Sequence, residues 1–238
     1  MSDYRLLTPD ESLPAVPLAP APWWLGGDGW ILVLRLPEDA RRDPRHLPPA
    51  LRGQPLVGPA VVMFVDYADS PAGPYRELLY LPGRSSAGGT GRAWSVTRIY
   101  VSSWASVVNG RRNWGIPKDL AEFRRTPLAA GERLEVSVQG REVATLELQS
   151  RGPALPVHAG LVPAGLRRLV QHHAGRRFEL VPGASARVGL ARATALHSDP
   201  DLFPSLGQAR VLLALRVPRF SLCFPVAGIA AAAGSGED

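Results

Sequence analysis

Of the 27 lysines and arginines in this chain, Lys118 is the single lysine. Arginine stays protonated at any biological pH. A lysine amine can lose its proton and attack a carbonyl carbon to form an imine, a Schiff base. A sequence that uses arginine wherever a fixed positive charge suffices singles out its remaining lysine for chemistry that arginine cannot do; the alternative is a lysine kept for packing. Lys118 ends the run Asn109-Gly110-Arg111-Arg112-Asn113-Trp114-Gly115-Ile116-Pro117-Lys118, which continues as Asp119-Leu120. Upstream lies Asp69-Ser70-Pro71-Ala72-Gly73-Pro74-Tyr75-Arg76-Glu77. Its carboxylate, Glu77, can orient an acid or shuttle a proton; the alternative is a half-buried glutamate paired with an arginine such as Arg98.

An unperturbed lysine, with a pKa of about 10.4, leaves well under one amine in a thousand free at pH 7. Imine chemistry therefore needs burial or a neighbouring cation to lower that pKa. Arg111 and Arg112 are the local cations in sequence. Tyr75, Trp104 and Trp114 could supply an apolar wall.

Other chemistries find little support. His46, His158, His172, His173 and His197 form no His-x-x-x-His or Cys-rich arrangement, so no metal is expected. Cys223, the lone cysteine, excludes an internal disulfide and reads as core within the apolar strand Phe220–Phe224. There is no Gly-x-Ser-x-Gly elbow and no dinucleotide fingerprint. The glycine- and serine-rich stretch Gly83–Gly91 lacks the Gly-Lys-Ser/Thr ending of a phosphate cradle and reads as a hairpin tip. No cofactor is implied.

The elements that must position these residues are mostly strands. Gly and Pro number 24 each among 238 residues, which favours many short strands over long helices. Strands are expected at 30–36, at the β-branched run 60–67, at 75–81, at 93–101 and along 186–193. A hairpin is expected over 133–138 and 142–149, and two further strands at 209–217 and 219–224. Ser102 or Ser103 caps a short helix through Trp104, Val107, Val108 and Arg111, which must stop before Pro117. A second helix is expected over 164–173, carrying the His172–His173 pair on its surface. Eight to ten strands with two or three short helices suggest a mainly β (α+β) chain, an antiparallel sheet rolled into a barrel. Residues 1–22, rich in proline and alanine, read as an extended N-terminal arm; 23–226 as a single domain; 227–238 as a disordered tail.

At 45% hydrophobic residues the chain is globular in composition. Its net charge is +6, but the arginines run from Arg5 to Arg219 in ones and twos, so nucleic acid is not an expected partner. Asp3, Asp10 and Glu11 precede any apolar run and argue against a signal peptide. No stretch approaches the ~20 apolar residues of a membrane span. The expected location is the cytoplasm, with no membrane contact.

Two segments resemble the acetoacetate decarboxylase family. Asp69–Glu77 is similar to the family's small-residue turn followed by Gly-x-Tyr-x-Glu. Asn109–Leu120 is similar to its Gly-Arg-Glu-x-x-Gly-x-Pro-Lys-Lys-Leu segment, whose first lysine forms the Schiff base. The resemblance covers about residues 60–125 and sets Lys118 on the catalytic lysine and Glu77 on an active-site acid. Lowering a lysine pKa with a neighbouring cation has acetoacetate decarboxylase itself as its standard example. The resemblance implies an antiparallel barrel of that family's type, a homo-oligomer, and a carbon–carbon lyase acting on acetoacetate or a related β-keto acid. Arg111 and Arg112 would give electrostatic support; Tyr75 and Trp114 would contact substrate. The pattern also departs from the family. Asp119 stands where the second lysine would be, and by spacing a second family glutamate falls on Val62. The family's N-terminal arginine falls near Gly27–Asp28, with Arg35 the nearest substitute. The amine is kept and the carboxylate-handling groups are altered. Aldol or dehydration chemistry on another keto acid through the same lysine is therefore a second reading. A non-catalytic barrel binding a small carbonyl compound or carboxylic acid is a third.

Overall fold

A computed structural model describes residues 4–86 and 91–231. In chain order the elements are β1 (Trp23–Arg35), α1 (Glu38–Arg41), β2 (Ala60–Asp69), β3 (Tyr75–Leu81), β4 (Arg84–Ser85), β5 (Ala93–Trp94), β6 (Arg98–Val101) and α2 (Trp104–Trp114). Then come β7 (Lys118–Leu120), β8 (Glu122–Leu128), β9 (Gly131–Val138), β10 (Arg141–His158), α3 (Ala164–Arg167) and β11 (Leu169–His173). The last are β12 (Arg176–Leu180), β13 (Gly183–Ser198), β14 (Arg210–Phe224) and β15 (Gly228–Ala231).

A ten-stranded sheet runs β7-β6-β3-β2-β1-β14-β13-β10-β9-β8, and a five-stranded sheet runs β15-β12-β11-β5-β4. Pairing is antiparallel except for β6 with β7 and β11 with β5. The large sheet rolls up. Phe123 of β8 meets Phe64 of β2 with ring centroids 5.9 Å apart, and the Arg76 guanidinium of β3 donates to the Phe123 carbonyl. The expected mainly β, antiparallel barrel with short helices is the observed fold.

Period-two alternation explains why residues 60–65 of β2 and 78–81 of β3 read as apolar runs: both of their faces are buried. Val62, Phe64, Leu78 and Tyr80 enter one core, inside the roll with Leu134, Leu146 and Phe203. Val61, Val65, Leu79 and Leu81 enter a second core, between the two sheets, with Trp23, Trp114 and Phe178. Lys118 and Glu77 belong to this second side.

Helix α2 stops where the sequence requires. Gly115 takes φ 62°, a left-handed conformation, and its N–H caps back to the Arg111 carbonyl. A side chain there would collide with Phe178, whose Cδ2 lies 2.5 Å from the Cβ position. The chain then turns through Ile116-Pro117 into β7, pairing Lys118 with Ile99.

Several expectations are corrected. The helix expected over 164–173 is one turn, Ala164–Arg167; from Leu169 the chain is strand, paired with β12. His172 and His173 therefore lie on a strand, both partly buried. The helical spacing was real but short, and alternation takes over where Val170 enters the core and His172 faces Arg177. The stretch 93–101 is two strands in different sheets. The two strands expected at 209–217 and 219–224 are continuous as β14, with a register irregularity around Pro218, a residue without a donor for the ladder. The tail expected to be disordered from Ala227 instead forms β15 on β12 at residues 228–231, and residues 232–238 lie outside the described residues. The expected tip at Gly83–Gly91 is flanked by the β4–β5 pair, and residues 87–90 lie outside the described residues.

Candidate active site

Lys118 is 4% exposed. Its Nζ donates to Glu77 Oε2 at 2.9 Å and to Ser106 Oγ at 2.9 Å. Each partner comes from a different element: β7 supplies the amine, β3 the carboxylate and α2 the hydroxyl. Ser106 and Gly110, four residues apart, share the helix face turned to β7. A Cβ on Gly110 would lie 2.7 Å from Lys118 Cδ and 2.8 Å from Cε, so the missing side chain is the space the lysine stem occupies. The Tyr75 ring centroid is 5.1 Å from Nζ. Burial pushes the Tyr75 hydroxyl up to about 12, against the opposing pull of Lys118. Tyr67 donates its hydroxyl to Glu77 Oε1 at 3.1 Å and lies on Tyr75, ring centroids 4.6 Å apart.

The amine is not poised as a free base. Burial would lower its pKa, but Glu77 and then Tyr75 outweigh burial and hold it above the usual lysine value. Nζ and its acceptor, Glu77 Oε2, stand 2.9 Å apart.

Asp119 faces the other way, as neighbours on a strand do. Its Oδ1 accepts from the backbone N–H of Leu7 and Thr8, at 3.0 and 3.2 Å, and from Arg111 at 3.2 Å. It leaves Lys118 alone. Arg111 is 2% exposed and donates to the main-chain carbonyl of Lys118, to Thr8 and to Asp10. It fixes the backbone that carries the amine and does not face Nζ. Arg112 is exposed on a surface groove with Asp10 and His173. The two arginines expected as electrostatic support are thus a backbone clamp and a surface charge. Trp114 is packed edge-on against Trp23 and Phe224 and donates to Pro225, behind the site. Arg98 does not pair with Glu77; it reaches His46 Nδ1 and the carbonyls of Arg5 and Arg45.

Beside the pair, between the sheets, lies a cavity of about 440 Å³. Glu77 and Tyr67 line it together with Ile31, Met63, Leu79 and Phe224. Among the described residues, Glu77 and Arg167 are the charged groups of its lining. Val62 faces the opposite core, so the register puts Val61 and Met63, not Val62, on the cavity side of β2. Neither restores a second carboxylate. Arg35 is exposed and lines a different surface hollow.

The sequence reading missed Ser106, Gly110, Tyr67 and Arg167. Ser106 and Gly110 had a signal, their i, i+4 spacing within the segment that leads to Lys118. Tyr67 had one in the hairpin, whose turn pairs Tyr67 with Tyr75 and so brings it diagonal to Glu77. Arg167 had none, because it reaches the cavity from α3, far from the motif in sequence.

The profile of the family described as acetoacetate decarboxylase (ADC) matches residues 15–206. No curated protein matches by sequence. Three similar solved structures show the shared fold. An acetoacetate decarboxylase from Legionella pneumophila is 13% identical with a TM-score of 0.64, over 92% of this chain and 91% of that one. An acetoacetate decarboxylase-like enzyme from Sphingomonas wittichii RW1 is 17% identical with a TM-score of 0.65, over 98% and 100%. The enduracididine biosynthesis enzyme MppR complexed with pyruvate is 18% identical with a TM-score of 0.59, over 97% and 98%. With Lys118 and Glu77 falling inside the matched span and meeting in a buried pair, the chain belongs to the acetoacetate decarboxylase family.

Proposed function

We propose that the protein is a Schiff-base-forming lyase that decarboxylates a β-keto acid through an imine on Lys118. The observation that carries this reading is the buried Lys118–Glu77 pair at 2.9 Å beside an apolar cavity. The ammonium passes a proton to Glu77, and the neutral amine adds to the ketone carbon. Glu77 returns the proton as the carbinolamine loses water, which leaves an iminium. The carbon–carbon bond to the carboxylate then breaks, its electron pair moves into the iminium, and CO2 departs to leave an enamine. Glu77, a carboxylate again after that dehydration, takes up a proton from solvent and delivers it to the enamine carbon, and water hydrolyses the resulting iminium to release the ketone and return Lys118 as the ammonium. Tyr67 holds Glu77 through its other oxygen, and Ser106 and Tyr75 hold the amine in line. Arg111 keeps the Lys118 backbone in place.

A second reading, aldol or dehydration chemistry on another keto acid through the same imine, draws on the likeness to MppR, solved with pyruvate and with a condensation product of pyruvate and imidazole 4-carboxaldehyde. Both readings share the amine and differ in the bond broken. We also propose self-association; Leu155 (64% exposed), Leu161 (83%) and Leu190 (60%) supply apolar surface for it.

The test is CO2 release from a panel of 3-oxo acids by the parent and by Lys118→Arg. CO2 release that the substitution abolishes is the expected result. Imine formation without CO2 release moves the assignment to the aldol reading, and neither leaves a binding barrel.

A further inference from the structure

We infer that the site, on the imine reading above, is built for keto acids with an extended apolar body rather than for a four-carbon acid. The cavity volume of about 440 Å³ falls within the range of about 300–1,000 Å³ typical of pockets that enclose drug-sized ligands. From Glu77 the floor continues through Leu79 and Leu81 of β3, opposite Val65, Met63 and Val61 of β2. Strands rise about 3.4 Å per residue, so Glu77 to Leu81 spans on the order of 13 Å. An extended chain advances about 1.2 Å per bond, so that floor matches about eleven bonds, a chain of roughly ten to twelve carbons. Ile31, Val96, Leu169 and Leu222 close over it from both sheets.

Arg167 marks the far end. Trp94 pairs with Arg84, just beyond Leu81, and donates its Nε1 to the Leu166 carbonyl, so α3 sits over the Leu81 end of the floor. There the Arg167 guanidinium is tied to the carbonyls of Val162 and Pro182. The stretch between Glu77 and Arg167 offers apolar side chains. A polar body would lose its water there without replacement partners, whereas an alkyl or aryl body gains from burial.

The experiment has two arms on the full chain. The first is calorimetric binding of saturated straight-chain carboxylates from butanoate to dodecanoate, which lack a ketone and form no imine. The affinity is expected to rise about fourfold per added methylene and to level off near ten carbons. The second arm compares kcat/KM for 3-oxobutanoate and 3-oxodecanoate. The longer acid is expected to be favoured at least ~100-fold, and Leu81→Trp to cut that ratio at least ~10-fold by shortening the floor. Affinity independent of length, or equal kcat/KM for the two acids, overturns the inference. The two readings fail separately. Affinity that climbs with length in a protein that turns over no keto acid upholds the cavity assignment and removes the imine; turnover of 3-oxobutanoate with flat affinities does the reverse.

Discussion

Lys118 and Asp119 are adjacent in a three-residue strand, and each is buried against a partner of opposite charge, yet the two pairs are finished differently. Asp119 receives two backbone N–H groups and a guanidinium. None of those donors gives up a proton, and the N-terminal segment that supplies two of them closes over the pair. Lys118 is held by a carboxylate, a serine hydroxyl and a tyrosine, and its carboxylate by a second tyrosine. Those groups include an amine and a carboxylate, side chains of the kind that serve as acid and base, and the carboxylate lines an apolar cavity. A buried ion pair is by itself weak evidence of stability or of function. What separates these two is whether the surrounding donors are fixed and whether space for a ligand adjoins them. One pair fastens the strand; the other has the makings of a reaction centre.

The sharpest way to break that contrast is Glu77→Gln. Turnover is expected to fall by about 10²–10⁴, the usual span for a lost acid–base group. The pH profile moves as well. Glu77 holds the Lys118 pKa above its usual value; without it burial prevails and the pKa drops. Borohydride trapping by the variant should therefore persist at lower pH than trapping by the parent. The sign for stability follows from linkage. In the parent, the raised folded-state pKa contributes stability that is complete below the unfolded value and lost as pH rises through the folded one. In the variant the dependence reverses, and denaturant melts across alkaline pH would register it.

Asp119→Ala tests the other pair. It removes the carboxylate from Arg111 and from the Leu7 and Thr8 N–H groups, and should cost about 3 kcal/mol in a denaturant titration. Turnover and trapping per folded molecule should each change less than about tenfold, since Asp119 does not touch the amine; a fall in turnover as large as that of Glu77→Gln would erase the distinction. Gly110→Ala places a methyl carbon 2.7 Å from Lys118 Cδ. It should cost about 1–3 kcal/mol of overpacking and slow trapping by displacing the stem. The smallest effect lies away from both pairs. Burial and then Arg98 lower the His46 pKa to about 4, so the ring is neutral in the folded protein. Unfolded histidine takes up its proton near 6.5, so stability falls as pH drops from there toward 4, by about 1 kcal/mol between pH 7.5 and 5.5. His46→Gln should flatten that slope.

Much of this was legible in the residues. The β-branched run 60–67 marked β2, the stretch 75–81 after the proline and glycine turn marked β3, the serine and proline bounded α2, and a lone lysine among arginines pointed to Lys118. Local signals failed where tertiary pairing decides. Leu169–His173 continues a helical turn in sequence, but β12 pairs with it as strand. Gly228–Ala231 looks like an unstructured alanine and glycine tail, but it adds to an open sheet edge. Arg111 and Arg112 look like equivalent cations near the amine, yet one turns inward under the Lys118 carbonyl and the other outward to solvent. Arg167 reaches the cavity from α3, with no cue near the motif.

The central claim is that Lys118 is a nucleophile. Its most direct test is borohydride trapping with a panel of keto acids, read by intact mass on the parent and on Lys118→Arg, which contains no lysine. The account predicts a mass increase equal to one reduced imine in the parent, absent from the variant. Failure of every keto acid to leave an adduct on the parent, from neutral to alkaline pH, would contradict it.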